Sequence, residues 1–395
     1  QPPSASPVPL SVAVTSTTAS ASAPQRRGAW RSGDHPGRRQ FTTLFSHEPL
    51  QLESGDAFGP ITLAYETWGQ LNADASNAIL LLHGFSGDSH AAGEEGPGHP
   101  TPGWWHSLIG PGLPIDTNRF FVLCPNAFGG CHGSTGPASL ARDGRAYGSR
   151  FPAITIRDMV AAEQALADHL GISRWSAVIG GSMGGMRALE WAISRPEAVE
   201  RLLLLATCAA TTAEVIAVHT TQIQAIELDP NFHGGDYYNP FGESPQKGLR
   251  LARSIARLTY GSESEFAVQF DRHPACGQAP LQGGRYAVEA YLEQHSEIGA
   301  KYLDANSYIA LTRAMSHHDV GRGRGGVQRA LATITARTRV VSISSDRLFP
   351  PRLQVEIAQG IGPHVTFSRL DSDHGHDGFL VEQRKLNDIL RQTLG

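Results

Sequence analysis

Cysteine is scarce in this chain. Four occur among 395 residues, Cys124, Cys131, Cys208 and Cys276, and no two have CxxC spacing. That pattern argues against a disulfide framework or a cysteine-built zinc site, and it suits a reducing cytoplasm, the expected location. Long apolar runs are lacking too: none reaches the roughly 18 residues of a membrane span. Neither sign of charge dominates. A net charge of −4 offers no general attraction to nucleic acid or to an anionic membrane. Glycine and proline, at 43 and 25 residues, stay below the share of a disordered protein. What is present is 40% apolar content, enough for one large core or for one core plus an inserted lid. Seventeen histidines invite a metal reading. Yet His317-His318-Asp319 and the pair His83 and His90 lack a full ligand set, so no metal is expected.

The chain divides into four stretches. Residues 1–40 are rich in Ser, Ala, Thr and Pro and read as a disordered tail. Leu10 to Val14 is too short an apolar stretch for a signal peptide, and no basic segment precedes it. Residues 41–206 carry expected strands at 61–66, 78–82, 119–123, 175–179 and 201–206, with helices between them. That alternation marks an α/β domain with a mostly parallel sheet and helices on both faces. Residues 207–325 change character: helical patterns run over 211–228, 245–259, 285–298 and 304–315, which reads as an inserted helical lid. From 326 the α/β pattern returns, with strands at 339–344 and 365–370 and a closing helix over 378–393.

The most informative segment is Val178-Ile179-Gly180-Gly181-Ser182-Met183-Gly184-Gly185-Met186. An apolar strand runs into Gly-Gly-Ser-Met-Gly and a helix-forming run follows, the G-x-S-x-G pattern of a nucleophile elbow. Such a turn projects the Ser182 hydroxyl from the sheet, and the helix behind it aims free N–H groups at a developing oxyanion. The competing reading is a tight turn in which Ser182 only caps the helix.

An activated serine needs a base and an acid that orients it, in the order Ser…Asp…His for the α/β-hydrolase arrangement. The β-branched strand Arg339 to Ser344 ends near Asp346, and Pro350-Pro351 follow. An Asp at the carboxyl end of a late parallel strand lies where open α/β sheets bind ligands. The next strand leads into Asp371-Ser372-Asp373-His374-Gly375-His376-Asp377. Two histidines compete there. His376 is preferred, because Gly375 lets the loop turn it inward, and His374 is expected at the surface beside a carboxylate. Asp371 and Asp373 rival Asp346 but lie too near His376 in sequence. The oxyanion hole is expected from the backbone N–H groups of Met183 and Phe85, the latter on the loop after strand 78–82.

These motifs, with several more, resemble the homoserine O-acyltransferases of the α/β-hydrolase superfamily from about residue 45 to the end. Gly129-Gly130-Cys131-His132-Gly133-Ser134-Thr135-Gly136-Pro137 is similar to a family loop that ordinary esterases lack. Phe151 to Val160, Gly180 to Glu190, Gly234-Gly235-Asp236-Tyr237-Tyr238 and His376 to Leu380 match in order.

The resemblance implies acyl transfer from acetyl-CoA or succinyl-CoA to the hydroxyl of L-homoserine, in methionine synthesis, through an acyl-Ser182 intermediate. Acetyl is favoured as the commoner family activity, and acetyl-CoA is then a co-substrate, with no bound cofactor. A lid would exclude water while the acyl-enzyme waits for its acceptor. Asp377, after the catalytic His, takes the family position that holds the amino group, and Tyr237 belongs to a matched segment and joins the substrate-binding candidates. Many members bind the substrate carboxylate with a lid arginine; here that stretch reads Thr221-Gln222-Ile223-Gln224. Gln222, Gln224 or an arginine from elsewhere, with Arg187 as one candidate, is left to make that contact, and serine stays open as an alternative acceptor. Arg322, Arg324 and Arg329 are noted as basic surface for CoA phosphates, with a solvated Gly-Arg loop as the alternative. The family also implies a homodimer through the lid. An esterase, or a scaffold that only binds ligand, remains as a different outcome of the same fold.

Overall fold

The computed structural model describes residues 28–238, 243–363 and 365–395. Eight strands form the main sheet: β1 (Gln40–Leu44), β2 (Ile61–Trp68), β3 (Ala78–Leu82), β4 (Phe121–Pro125), β5 (Ala177–Gly181), β6 (Arg201–Leu205), β7 (Arg337–Ile343) and β8 (Val365–Leu370). Their spatial order is β1-β2-β4-β3-β5-β6-β7-β8. β2 runs antiparallel to both of its neighbours, and the remaining pairs are parallel. The central strands β3 and β5 are buried along their whole length, as a sheet covered on both faces requires.

The helices follow from local chemistry. α1 (Ile156–His169) starts at a capping box, in which Thr155 and Asp158 satisfy each other's backbone N–H. α2 (Met183–Ser194) begins at the elbow and is buried almost throughout. Between β6 and β7 lie α3 (Ala213–Glu227), α4 (Gln246–Tyr260), α5 (Glu263–Gln269), α6 (Ala287–Lys301) and α7 (Ala305–Ser316). α4 packs on α3 and α6, and α7 packs on α3. α8 (Pro351–Ile361) and α9 (Gln383–Leu394) then cover the far end of the sheet. α9 buries Leu386, Leu390 and Leu394, an i, i+4, i+8 stripe.

Several expectations shift. Residues 28–40 belong to the fold and not to a tail: the Trp30 amide donates to Cys131 O, the Trp30 ring stacks on Phe41, and Arg39 is buried beside Asp88. The rest of that expected tail, 1–27, lies outside the described residues. The strand expected at 175–179 runs instead over Ala177–Gly181, because Gly180 and Gly181 still pair with Leu204 and Leu205 while Trp175 makes only an isolated bridge to Val199; α2 passes so close to it that glycine is required at 180. A Cβ at Gly180 would sit 2.1 Å from Gly184 O. The strand expected at 119–123 starts two residues later, since Phe120 closes a turn onto Asp116 O. The closing helix breaks at Glu382, which leaves a short turn (Gly378–Val381) before α9.

Arg187 on α2 is a fully buried charge between sheet and helices. Its Nε donates to Glu163 Oε1 at 2.7 Å, and Trp191 Nε1 donates to Glu163 Oε2 at 2.8 Å. The same guanidinium reaches His83 O and Pro125 O, each at 3.4 Å. Removing one member of a buried pair strands the other charge, at a cost of about 3–5 kcal/mol. Arg187→Met is therefore expected to lose about that much stability in urea unfolding. In a Glu163→Gln background, where no carboxylate is stranded, the same change should cost clearly less; equal costs would show that the pair is not the cause.

Candidate active site

Ser182 joins β5 to α2 with φ 57° and ψ −123°. That is left-handed backbone for a residue with a side chain, held at a strain of about 1–3 kcal/mol. The surroundings over-determine it. Ser182 N donates to Leu205 O at 2.9 Å, and Ser182 O accepts from Thr207 Oγ1 at 2.9 Å. A Cβ at Gly184 would lie 2.0 Å from Leu82 O, so α2 can press onto β3 only with glycine there. The capping alternative fails, because the Ser182 hydroxyl makes no cap hydrogen bond. It lies 2.8 Å from His376 Nε2 instead.

His376 Nδ1 lies 2.8 Å from Asp346 Oδ2. Asp346 Oδ1 accepts from the Leu348 and Phe349 amides, both at 2.9 Å, which fixes the carboxylate. All three side chains are buried. Burial opposes a charged imidazole, yet the Asp346 charge and hydrogen bond outweigh it, and the pKa of His376 rises above its ordinary value. Such a chain can take the serine proton during attack on a carbonyl and return it to a leaving group. His374 stays outside: its ring is 44% exposed, with Nδ1 3.4 Å from Glu265 Oε1.

The loop after β3 runs beside the nucleophile; a Cβ built at Gly84 would come 3.8 Å from Ser182 Cβ. His83 holds this loop, with Nδ1 2.7 Å from Gly84 O and Nε2 accepting from Ala127 N at 3.1 Å. Burial and the nearby Arg187 push the His83 pKa down to about 3, so the ring is neutral in this role. The N–H groups of Phe85 and Met183 find no acceptor among the described residues, which leaves both available to an oxyanion.

The substrate-binding candidates separate. Asp377 follows His376 and stays 33% exposed, facing Arg257 Nη1 at 3.8 Å. Burial raises its pKa against the pull of His376 and Arg257. Arg187 is no substrate ligand, since its guanidinium is spent on Glu163 and two carbonyls. Gln224 is exposed. Gln222 is buried, and its Oε1 accepts from Tyr308 OH at 3.0 Å. Tyr237 is committed to Asp304 Oδ1 at 2.8 Å and to the Asn306 amide at 2.9 Å. A further candidate, not singled out from sequence, is Arg253 on α4. It is 7% exposed, its Nη1 donates to Ser86 Oγ at 3.2 Å, and its Nε has no partner among the described residues. The signal was present: Leu249, Ala252, Arg253, Ala256 and Arg257 form the buried stripe of α4, and two arginines in an apolar stripe need a purpose.

Two other groups resolve differently from their sequence reading. Arg322 pairs with Glu53 at 2.7 Å and Arg324 with Glu190, so both clamp their loop onto the core. Glu66, His90 and His99 place three ligand atoms within 4.8 Å of one another, a group not anticipated from spacing. The two rings are stacked, with centroids 3.7 Å apart and planes at 10°. A metal lies in the plane of each imidazole that binds it, and stacked rings do not converge that way. His90 Nδ1 instead lies 3.0 Å from Glu66 Oε2, and His99 Nε2 accepts from the Arg38 amide at 3.0 Å.

Comparison with known proteins agrees with this geometry. The profile of the α/β hydrolase fold family matches residues 77–383. A homoserine O-acetyltransferase of Thermobifida fusca is 54% identical over 367 residues, 93% of this chain and 96% of its own. That of Clavibacter michiganensis is 48% identical, covering 94% and 96%. Among solved structures, homoserine O-acetyltransferase from Bacillus anthracis superposes with a TM-score of 0.82 at 30% identity, over 90% of this chain and 97% of that one. An enzyme described as esterase E22 also gives 0.82, at 31% identity, over 90% and 99%. The chain belongs to the α/β-hydrolase fold family and, within it, to the family of the homoserine O-acetyltransferases.

The competition between the two histidines has a direct test. A fluorophosphonate that labels Ser182 is expected to react about 10²–10⁴-fold more slowly in His376→Ala and near the normal rate in His374→Ala. An equal loss in both variants would give His374 a share of the base.

Proposed function

We propose that this protein moves an acetyl group from acetyl-CoA to the side-chain hydroxyl of L-homoserine, a step toward methionine. The observation that carries the reading is that a Ser182–His376–Asp346 chain stands with a partly exposed carboxylate on the residue after the base, Asp377, and with a buried cation, Arg253, that feels the Asp377 charge and has no carboxylate partner among the described residues. An amino-acid acceptor carries the complementary charges. In the first half-reaction Ser182 Oγ attacks the thioester carbonyl while His376 Nε2 takes its proton. The N–H groups of Phe85 and Met183 hold the oxyanion, and CoA leaves as the thiol with the proton from His376. In the second, His376 takes the acceptor's hydroxyl proton as that oxygen attacks the acetyl-serine. Collapse returns the proton to Ser182 and releases the ester. Arg253 would receive the acceptor carboxylate and Asp377 its ammonium group.

Hydrolysis is the second reading, because an esterase shares the fold over nearly the same length. The fold alone does not choose the acceptor; the charges of Arg253 and Asp377 are what support an amino acid over water. The helical insert also leaves Leu228, Val268 and Leu281 at 81%, 85% and 100% exposure, surface that a homodimer through this insert would cover. Light scattering should then give twice the mass of one chain; a monomer at micromolar concentration would remove that part.

The test is thiol release from acetyl-CoA or succinyl-CoA with L-homoserine, L-serine or no acceptor, beside Ser182→Ala. Fast release with acetyl-CoA and homoserine only, abolished in the variant, is expected. Equal release without acceptor would make the protein a hydrolase. The base must be neutral to work, and the pKa of His376 is raised in the fold. Activity should therefore decline on the acid side starting above pH 6.5, the ordinary histidine value; a decline confined to lower pH would contradict that environment.

A further inference from the structure

Arg257 faces Asp377 and has no part in the reaction above. It lies one turn after Arg253 on α4 and is 4% exposed. Its three nitrogens are treated differently. Nε donates to Tyr291 OH at 2.7 Å, and Nη2 lies 2.9 Å from Glu265 Oε2. Nη1 faces Asp377 Oδ2 at 3.8 Å, too far for a hydrogen bond, and has no other partner among the described residues. The guanidinium cannot swing freely. Its carbon lies 5.2 Å from the Phe266 ring centre and 5.6 Å from that of Tyr291. Residue 261 is glycine, and a Cβ there would come within 2.6 Å of Nη1 and of the Phe266 ring.

This arrangement has a physical logic. A carboxylate that must bind an ammonium group needs a cation near enough to keep it charged and oriented. A cation in full contact would occupy the oxygens that the ammonium requires. Arg257 meets both needs, because Glu265 and Tyr291 hold back the rest of its guanidinium. We propose that Arg257, restrained by Glu265, is the positioning residue that presents Asp377 to the acceptor's ammonium group without neutralising it. The inference rests on the acceptor reading given above, in which Asp377 contacts that group.

Two opposite changes then have the same effect. Arg257→Met removes the cation that orients Asp377. Glu265→Gln frees the guanidinium to close on Asp377 and compete with the ammonium. Each is expected to raise the KM for L-homoserine by about tenfold, one pair of charges at this depth, with kcat within about twofold. Arg257→Lys, which keeps the charge, should recover part of the loss. The effect should vanish for 4-hydroxybutyrate, an acceptor of the same length without the amino group, whose KM should be the same in wild type and variants. Cleavage of 4-nitrophenyl acetate reports on Ser182 without an acceptor and should be unchanged in Glu265→Gln.

An unchanged KM for homoserine in both variants would overturn the proposal. So would a loss shared equally by homoserine and 4-hydroxybutyrate, which would mean a structural role. If Arg257→Met does not fold, Glu265→Gln and Arg257→Lys decide the matter on the same readouts. Failure of the underlying reading looks different: wild-type protein would show no homoserine-dependent thiol release at all.

Discussion

The ion pair between Arg187 and Glu163 lies where α1, α2 and the ends of β3 and β4 meet behind the nucleophile. Arg187 rises from the first turns of α2, Glu163 belongs to α1, and the carbonyls that Arg187 also contacts end β3 and β4. One guanidinium thus ties the helix behind the nucleophile to the strand end that launches the oxyanion loop. In so dry a place neither charge can turn to water, so the geometry is held by the cost of separating them. That rigidity is what the strained turn at Ser182 requires. A backbone at φ 57° relaxes wherever its neighbours can move, and here α2 is pressed onto β3 at Gly184 and locked from behind by Arg187.

On this rigid base the proposed recognition of an amino-acid acceptor draws on the helical insert and on the loop that carries the base. The nucleophile, base and acid all come from the sheet. The charges suited to recognising a zwitterion come from α4, in Arg253, and from the residue after the base, Asp377. A shared fold in acetyltransferases and an esterase follows naturally, since the machinery that makes an acyl-serine is separate from the groups that receive an acceptor.

Much of this was legible in the residues. β3, β6 and β8 lie where their apolar patterns place them, and Ser182, Asp346 and His376 come together as expected from chain order. Chain order is informative because each triad member sits at a strand end, and strands announce themselves. The place proposed for the acceptor carboxylate, at Arg253, was not legible in the same way. It depends on which face of α4 turns inward, whereas the sequence pointed to Gln222 and Gln224 on α3 and to Arg187 on α2. β1 was missed because Gln40–Leu44 is a short edge strand that follows a polar, Pro-containing stretch. Arg187 looked like a ligand because it is next to the elbow, but proximity in sequence put it on the buried side of the helix.

The loop that carries His376 is braced from outside the sheet domain. A Cβ at Gly375 would come 2.3 Å from Tyr260 O, Ser262 Oγ donates to Asp373 O, and Arg347, next to Asp346, donates to Gly261 O. The end of α4 and the start of α5 are therefore the wall against which the base is set. The insert is not a detachable cover laid over a finished catalyst. A chimera that exchanges this segment between relatives must carry the 371–378 loop with it, and the two stretches can drift only in step, although more than a hundred residues of chain separate them.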